Sequence, residues 1–347
     1  MEKIKTERKS NIECLRVLSM IMIVFYHFFV HGEFEITSLS ANAVIMEILS
    51  LGGRIGYDCF IIISGYFMIK SEFKINKLLR FIFQVTFYSI VLYMIFLISG
   101  KIQFSIGSFA NALLPIIYMS YSFATEYVIL LVISPYLNKF IYNIEKKQLV
   151  KLIIILFTCW SIIPTIFNGD MGFSSVGLFI YLYLIGAYIR LYESTWMRNL
   201  KINLGGLFVM SSALILSVIM FNIAGIKVTS LFSKAIHFSE ATYVPVVLAA
   251  IFLFLIFLNI DMKYSKVINI ISSATFGVLL IHDNEYVREF LWIEVFKNAS
   301  MIGSEYFIMY EIIVVLSVYI ICTVIEIIRV KLIERPLFDI VLKKIQK

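Results

Sequence analysis

Residues 11–29 of the chain read NIECLRVLSMIMIVFYHFF, an apolar run that contains one arginine, Arg16, and one histidine, His27. A helix needs about 20 mostly apolar residues to cross a membrane, and this run meets that length. A basic stretch precedes the run, as in a signal peptide, but no small-residue cleavage site follows it. We therefore predict a first transmembrane helix that stays attached to the protein.

The rest of the chain has the same apolar character. Its 347 residues are 61% hydrophobic and only 15% charged, whereas soluble domains contain about 25% charged residues. The sequence predicts an all-α fold, a polytopic transmembrane helical bundle of about ten spans. By length, the spans cover residues 12–31, 52–69, 79–98, 123–142, 149–167, 173–192, 203–224, 243–260, 266–283 and 305–328. The run 104–121 is interrupted by Gly107 and Pro115, which favours a re-entrant or interfacial stretch.

Basic residues segregate between the loops that join these spans. If the N-terminus is cytoplasmic, 24 of the 30 lysines and arginines fall on the cytoplasmic side. The others are Arg54, Lys101, Lys227, Lys234, Arg288 and Lys297. Basic residues concentrate in the cytoplasmic loops of membrane proteins, so both termini are predicted to be cytoplasmic. The net charge of +7 then reflects orientation, and no nucleic-acid partner is expected.

The chain is expected to form one domain over residues 1–347. We find no internal repeat, no low-complexity linker and no appended soluble domain. The four cysteines lie in apolar runs and not in closely spaced pairs, which indicates packing residues. Neither a disulfide framework nor a metal site is expected, and the bundle should face membrane lipid.

Arg16 and His27 share one stripe of the first helix. Eleven residues at about 100° each turn the helix roughly 20° past three full turns, with a rise of roughly 16 Å. Glu13 lies on the same side. Histidine can move a proton near neutral pH, and arginine can hold a phosphate group bidentately. One helix could thus join a cytosolic phosphorylated donor to an acceptor on the outer side. In the plainer interpretation, Arg16 reaches to the inner membrane interface and His27 is buried against a neighbouring helix.

The Arg-x10-His pattern resembles the first span of the acyltransferase family 3 membrane enzymes. GYDCFIIISGYFM at 56–68 is similar to the family's second-span signature. KINKLLR at 74–80 resembles its cytoplasmic Arg-x-x-Arg element, with Lys77 in place of the first arginine. SFATEYVILLVISPYLNKFI resembles a span in which the family has tryptophan at the place of Phe123, and FIYLYLIGAYIRLY and SATFGVLLIHDNEYVREFLW match its polysaccharide-modifying branch.

The resemblance implies transfer of an acyl group, usually acetyl, from cytosolic acetyl-CoA to a cell-surface or lipid-linked glycan. His27 would be the catalytic residue, either as the general base on a sugar hydroxyl or as the carrier of the acetyl group. The resemblance also places Arg16 among the catalytic residues. Together with Lys77 and Arg80, Arg16 would hold the phosphates of coenzyme A. The family also implies a multi-pass protein of a bacterial plasma membrane.

Four further residues are candidates for binding the acceptor. Asp58 and Arg54 stand at the outer start of the second span, where they either orient the sugar or pair with each other at i, i+4. His282 closes the ninth span and either packs at the boundary, binds acceptor or adjoins His27. Tyr127 lies in the fourth predicted span. His31 and His237 are expected to face water. Ser64 and Gly65 are more typical of close helix packing than of chemistry.

Two other classes of protein share these features. A transporter or flippase for a lipid-linked sugar also places arginine, histidine and aspartate in the membrane, although we find no repeat of the kind that many transporters have. A non-catalytic membrane sensor or assembly partner would use the same residues structurally. For this last class, replacing His27 should leave the activity of any measured pathway intact.

Overall fold

The computed structural model describes residues 9–169 and 174–338, and its regular structure in those ranges is entirely helical. The α-helices are α1 Ser10–Val30, α2 Ala41–Ser50, α3 Gly52–Met68, α4 Ile75–Ile98, α5 Ile106–Leu113, α6 Ser122–Asn143, α7 Lys146–Phe157, α8 Ile163–Phe167, α9 Ser175–Leu191, α10 Thr195–Arg198, α11 Leu200–Gly225, α12 Val244–Asn259, α13 Lys266–His282, α14 Glu285–Glu289 and α15 Phe307–Arg329. π-Helical turns cover Thr158–Ile162, Phe290–Val295 and Val330–Glu334, and 3₁₀ turns cover Thr229–Lys234, His237–Ser239 and Asn298–Met301.

Each of the ten predicted spans falls on a helix. By length and hydropathy, six helical segments suffice to cross a membrane: Ser10–Val30, Ala41–Met68, Ile75–Ile98, Lys146–Phe167, Leu200–Gly225 and Phe307–Phe338. Two pairs of helices, bent by 41° and 76°, raise the number to eight if each pair is one span. The remaining two predicted spans correspond to α6 and to α9, which has 17 residues. The interrupted run 104–121 contains only the short helix α5.

The number of spans and the side of each terminus stay predictions. Six basic residues on which the predicted orientation partly rests lie outside the described ranges: Lys3, Lys5, Arg8, Lys343, Lys344 and Lys347. Residue 173, the first of the sixth predicted span, also lies outside these ranges.

Helix α1 packs against α2, α3, α12, α13 and α15, so it lies at the centre of the bundle. Polar residues in its first turn fix the start of the helix. The Asn11 side chain donates to the carbonyl oxygens of Phe257 and Ile260, at 2.8 and 3.2 Å. The Ser265 backbone N–H donates to Ser10 Oγ at 2.8 Å. Because these bonds satisfy backbone groups where α12 ends and α13 begins, they hold α1 in register with both helices.

Helices α3 and α9 approach closely through glycine. A methyl group at Gly65 would lie 2.3 Å from the carbonyl oxygen of Tyr183, and one at Gly186 would lie 2.2 Å from that of Ile62. Backbones can come this near only where no side chain intervenes, as is common between membrane helices. The sequence-based interpretation of Gly65 as a packing residue agrees with this geometry.

We expect Gly65→Ala to lower the stability of the folded protein by about 1 to 3 kcal/mol, because the new methyl group meets backbone that cannot move aside cheaply. Gly205→Ala is a matched control, since no atom other than its chain neighbours and the adjacent backbone of its own helix lies within 4 Å of the position that its methyl group would take. The measurement is thermal unfolding of both purified variants. Equal midpoints for the two would contradict the close approach of α3 and α9.

Helix α13 ends at His282, and the chain then turns sharply. Asp283 follows the helix, and the Asn284 side chain accepts from the Tyr286 backbone N–H at 3.1 Å, which starts α14. The Asn284 amide also donates to the Tyr121 hydroxyl at 2.7 Å. An Asn at this position is a favourable N-cap, so the break in the helix is encoded locally. The turn places His282 and Asp283 at the C-terminal end of α1.

Candidate active site

His27 and His282 meet where α1 and α13 lie side by side. His27 Nδ1 is 2.9 Å from His282 Nε2, although the two residues are 255 positions apart. His282 is fully buried, and its Nδ1 is 2.6 Å from the carbonyl oxygen of Val278, one turn earlier in α13. The rings of His282 and Trp292 are nearly perpendicular, with centroids 6.4 Å apart. The structure therefore brings together two of the histidines that the sequence singled out.

These two contacts determine which nitrogen of His27 is free to react. A carbonyl oxygen only accepts hydrogen bonds, so Nδ1 of His282 carries the proton and donates it to Val278. Nε2 of neutral His282 is then the acceptor, and His27 must donate to it from Nδ1. The lone pair of neutral His27 is consequently on Nε2. His282 therefore contacts His27 from inside the bundle in a way that favours this tautomer.

A carboxylate lies on the other side of His27. Asp283 Oδ1 is 3.8 Å from His27 Nδ1, 3.3 Å from His31 Nε2 and 4.0 Å from Arg288 Nη1. The charge of Asp283 would offset part of the cost of placing a positive charge on the buried His27 ring, which is the form that a general base takes when it accepts a proton. His31 was expected to face water, but its side chain is only 19% exposed and contacts Asp283.

A cavity of about 140 Å³ opens beside His27 and Asp283. Arg54 lines this cavity. Its guanidinium also lies over the Tyr26 ring, 4.9 Å from the ring centroid, and its Nη2 is 3.8 Å from Glu240 Oε2. We call this space the histidine cavity. A guanidinium and a histidine with a free lone pair line the same small space, an arrangement that suits a polar acceptor.

A second cavity of about 280 Å³ lies next to the histidine cavity along α1. Both cavities are lined by Phe60, Phe123 and Phe276, so these three rings form the boundary between them. Arg16 and Tyr127 line this middle cavity. Phe123 and Tyr127 are stacked, with ring centroids 6.1 Å apart.

A third cavity, of about 200 Å³, continues from the middle one and shares Arg16, Ser64 and Tyr127 with it. Lys74 and Lys77 also line this space, which we call the basic cavity. Three basic side chains are well suited to bind phosphate. The three cavities together form a tract that follows α1 from Arg16 to His27.

Arg16 is held in place by its own helix and by α13. Its Nη1 donates to Glu13 Oε1 at 3.1 Å, and the Ser272 hydroxyl donates to Glu13 Oε2 at 2.5 Å. The Arg16 side chain remains 29% exposed and so can contact a ligand. A guanidinium that is oriented before binding loses less conformational freedom when it binds phosphate.

Arg80 is not among the residues that line the basic cavity. Its guanidinium lies over the Phe338 ring, 4.7 Å from the ring centroid. Its Nη1 is 3.9 Å from Glu334 Oε1. The spacing of Lys77 and Arg80 on α4 predicted that both would face the donor. Of these two residues, Lys77 lines the cavity with Arg16, while Arg80 contacts Glu334 in the segment after α15.

The predicted pair of Arg54 and Asp58 does not form. Arg54 turns to Tyr26 and Glu240, while Asp58 is fully buried in α3. Neither carboxyl oxygen of Asp58 has a hydrogen-bond partner within the described part of the chain. Arg54 lines the histidine cavity, whereas His282 is buried behind His27 and is not among the residues that line it. Tyr127 lies instead in the tract, where Ser64 donates to its hydroxyl at 3.3 Å.

Sequence reasoning missed two residues that line the tract, Lys74 and Asp283, and a neighbour of Asp283 that lies outside the tract, His31. Lys74 precedes α4 directly, and its position next to Lys77 in KINKLLR is a usable signal. His31 follows His27 by four residues, the spacing that puts side chains on one helical face. Asp283 gives no such signal, because its position depends on the turn after α13.

A model of the acyltransferase domain of family 3 matches residues 9–327. Comparison with curated proteins and with solved structures found no match. The matched region covers α1 to the last turn of α15, and so includes all three cavities of the tract. The chain belongs to the acyltransferase family 3, and it is a membrane acyltransferase.

Proposed function

We propose that this protein moves an acetyl group from acetyl-CoA to a hydroxyl of a cell-surface or lipid-linked glycan, in a bacterial plasma membrane. The observation that carries the proposal is the tract along α1. It has basic side chains at one end and a histidine with a free Nε2 lone pair at the other. A donor with a phosphorylated head and a long thin arm that ends in a thioester fits this polarity.

On the donor side, Arg16, Lys74 and Lys77 would hold the phosphates of coenzyme A in the basic cavity. The pantetheine arm would pass Tyr127 and reach the boundary formed by Phe60, Phe123 and Phe276. Aromatic rings would exclude water from the thioester at this point, and water is the competing acceptor. No metal is required for this reaction.

On the acceptor side, the sugar would enter the histidine cavity beside Arg54. As base, His27 Nε2 would take the hydroxyl proton while the sugar oxygen attacks the thioester carbonyl. Collapse of the tetrahedral intermediate would expel the thiolate, which recovers the proton from His27. Alternatively, Nε2 would first accept the acetyl group while the coenzyme A thiolate leaves, and the sugar oxygen would then take the acetyl group from Nε2 while its proton passes to that thiolate. Both routes use the same lone pair, and mass spectrometry of acid-quenched protein distinguishes them through an acetylated His27.

The proposed activity is tested by mass spectrometry of surface glycans from cells with and without the gene. We expect deletion to remove acetyl groups from one glycan, and the wild-type gene to restore them. An unchanged acetylation pattern would argue against a glycan acceptor. A glycan that loses its export instead of its acetyl groups would support the transporter class.

Lys74 and Lys77 line the basic cavity and Arg80 does not, so replacing them should have different effects on the affinity for acetyl-CoA. Replacing Lys74 and Lys77 together with Ala should weaken acetyl-CoA binding about 5- to 30-fold, since two partly exposed charge contacts contribute about 1 to 2 kcal/mol. Arg80→Ala is the control, and it should change the affinity by less than about 2-fold, because Arg80 contacts Glu334 and Phe338. The measurement is calorimetric titration of folded protein. A larger loss in the Arg80 variant would return Arg80 to the donor site.

A further inference from the structure

Three potential metal ligands lie together at the end of α1. His27, His31 and Asp283 each offer one ligand atom, and these atoms lie within 4.8 Å of one another. Asp283 Oδ1 is 3.3 Å from His31 Nε2 and 3.8 Å from His27 Nδ1. A tetrahedral zinc ion with bonds of about 2.0 to 2.2 Å separates its ligand atoms by roughly 3.4 Å. Side-chain movements of about 1 Å would therefore suffice to coordinate the ion.

The three ligands come from two separate elements. His27 is in the last turn of α1, and His31 caps that helix four residues later, so both rings lie on one face. A histidine pair at this spacing is a common half-site for zinc on a helix. Asp283 completes the set from the turn after α13. A site built in this way depends on the fold and should be lost when the protein unfolds.

An ion could reach this cluster from the adjoining solvent. The side chains of His27, His31 and Asp283 are 13, 19 and 27% exposed. Three protein ligands would leave the fourth position for water. Arg288 lies 4.0 Å from Asp283, and Arg54 lines the histidine cavity. These two positive charges oppose a cation, so we expect reversible binding and not a permanently held ion.

We propose that His27, His31 and Asp283 form an inhibitory zinc site. The inhibition rests on the proposed function, because it acts on His27. Zinc at Nδ1 takes the lone pair of that nitrogen, so the Nδ1 proton must leave and the bond to His282 is lost. A neutral imidazole coordinated through Nδ1 carries its remaining proton on Nε2. The atom that would accept the hydroxyl proton or the acetyl group is then blocked.

The test measures zinc binding without turnover. The full chain, purified without a polyhistidine tag, competes with a chromophoric chelator for Zn²⁺, and acyl transfer is titrated with Zn²⁺ in parallel. We expect one zinc per chain. His31→Gln should weaken zinc binding at least about 10-fold. Removing a residue that only hydrogen-bonds to a metal ligand already costs about that much, and His31 would be a ligand itself. The same variant should keep its zinc-free rate and need correspondingly more zinc for inhibition.

His237→Gln is the matched control, because His237 packs against Phe238 and Tyr243 and away from the cluster. It should bind zinc as the wild-type protein does. Absence of saturable zinc binding, or equally tight binding by the His31 variant, would overturn the site. Zinc bound at the cluster with no loss of transfer would overturn its inhibitory role. A protein that binds zinc but transfers no acyl group would refute the proposed function and leave the binding site standing.

Discussion

Replacing His27 with Gln is expected to lower acyl transfer by roughly 10²-fold or more. Glutamine has a similar volume and can still donate to His282 Nε2, but it cannot take up a proton near neutral pH. It also cannot carry an acetyl group as imidazole does. The variant should therefore fold and bind acetyl-CoA normally while losing the chemical step. The measurements are the rate of acetyl transfer and the donor affinity of the purified variant.

The control for this variant is His31→Gln, which changes a neighbouring histidine of similar burial and should keep transfer near the wild-type rate when zinc is absent. Near-normal transfer by a folded, donor-binding His27→Gln protein would remove His27 from the chemistry. The search would then move to His282 and Asp58.

Arg16→Ala should weaken acetyl-CoA binding by about 1.5 to 3 kcal/mol, or about 10- to 150-fold, through the loss of charge-assisted bonds to phosphate. Because Glu13 keeps its bond from Ser272, the variant should not leave that carboxylate without a partner. Arg16→Lys is the graded control. Lysine keeps the charge but not the bidentate geometry. The affinity of this variant for acetyl-CoA should therefore fall between those of the wild-type protein and Arg16→Ala.

Calorimetric titration with acetyl-CoA measures this effect, and the thermal midpoint reports whether the variants are folded. Unchanged donor affinity in folded Arg16→Ala protein would leave Arg16 with a structural role, as a partner of Glu13 that reaches towards the interface.

Helical periodicity was enough to predict the relation between Arg16 and His27. Both residues are on α1, and the geometry of one helix fixes their relative direction. The ten apolar segments likewise coincide with helices, because apolar run length determines the helix in each case. The sequence could not predict which short helices pair into one span. That depends on bends such as the 76° turn after α13.

Contacts between distant segments account for what the sequence reasoning missed. Arg80 appeared to share a role with Lys77, but Glu334 engages it from 254 positions further along the chain. Arg54 appeared to pair with Asp58 within α3, but Tyr26 and Glu240 offer it partners on other elements. Asp283 reaches His27 only because α13 ends one residue earlier. Local spacing gives the candidates, and tertiary packing selects among them.

If one tract joins a donor at Arg16 to an acceptor at His27, the protein should transfer acetyl groups between the two sides of a membrane. Purified protein is reconstituted in vesicles, labelled acetyl-CoA is supplied on one side and a glycan acceptor on the other. We expect labelled glycan when the donor faces the Arg16 end, and almost none with His27→Gln. Equal labelling by wild-type and His27→Gln protein, or transfer only when donor and glycan share one side, would contradict this arrangement.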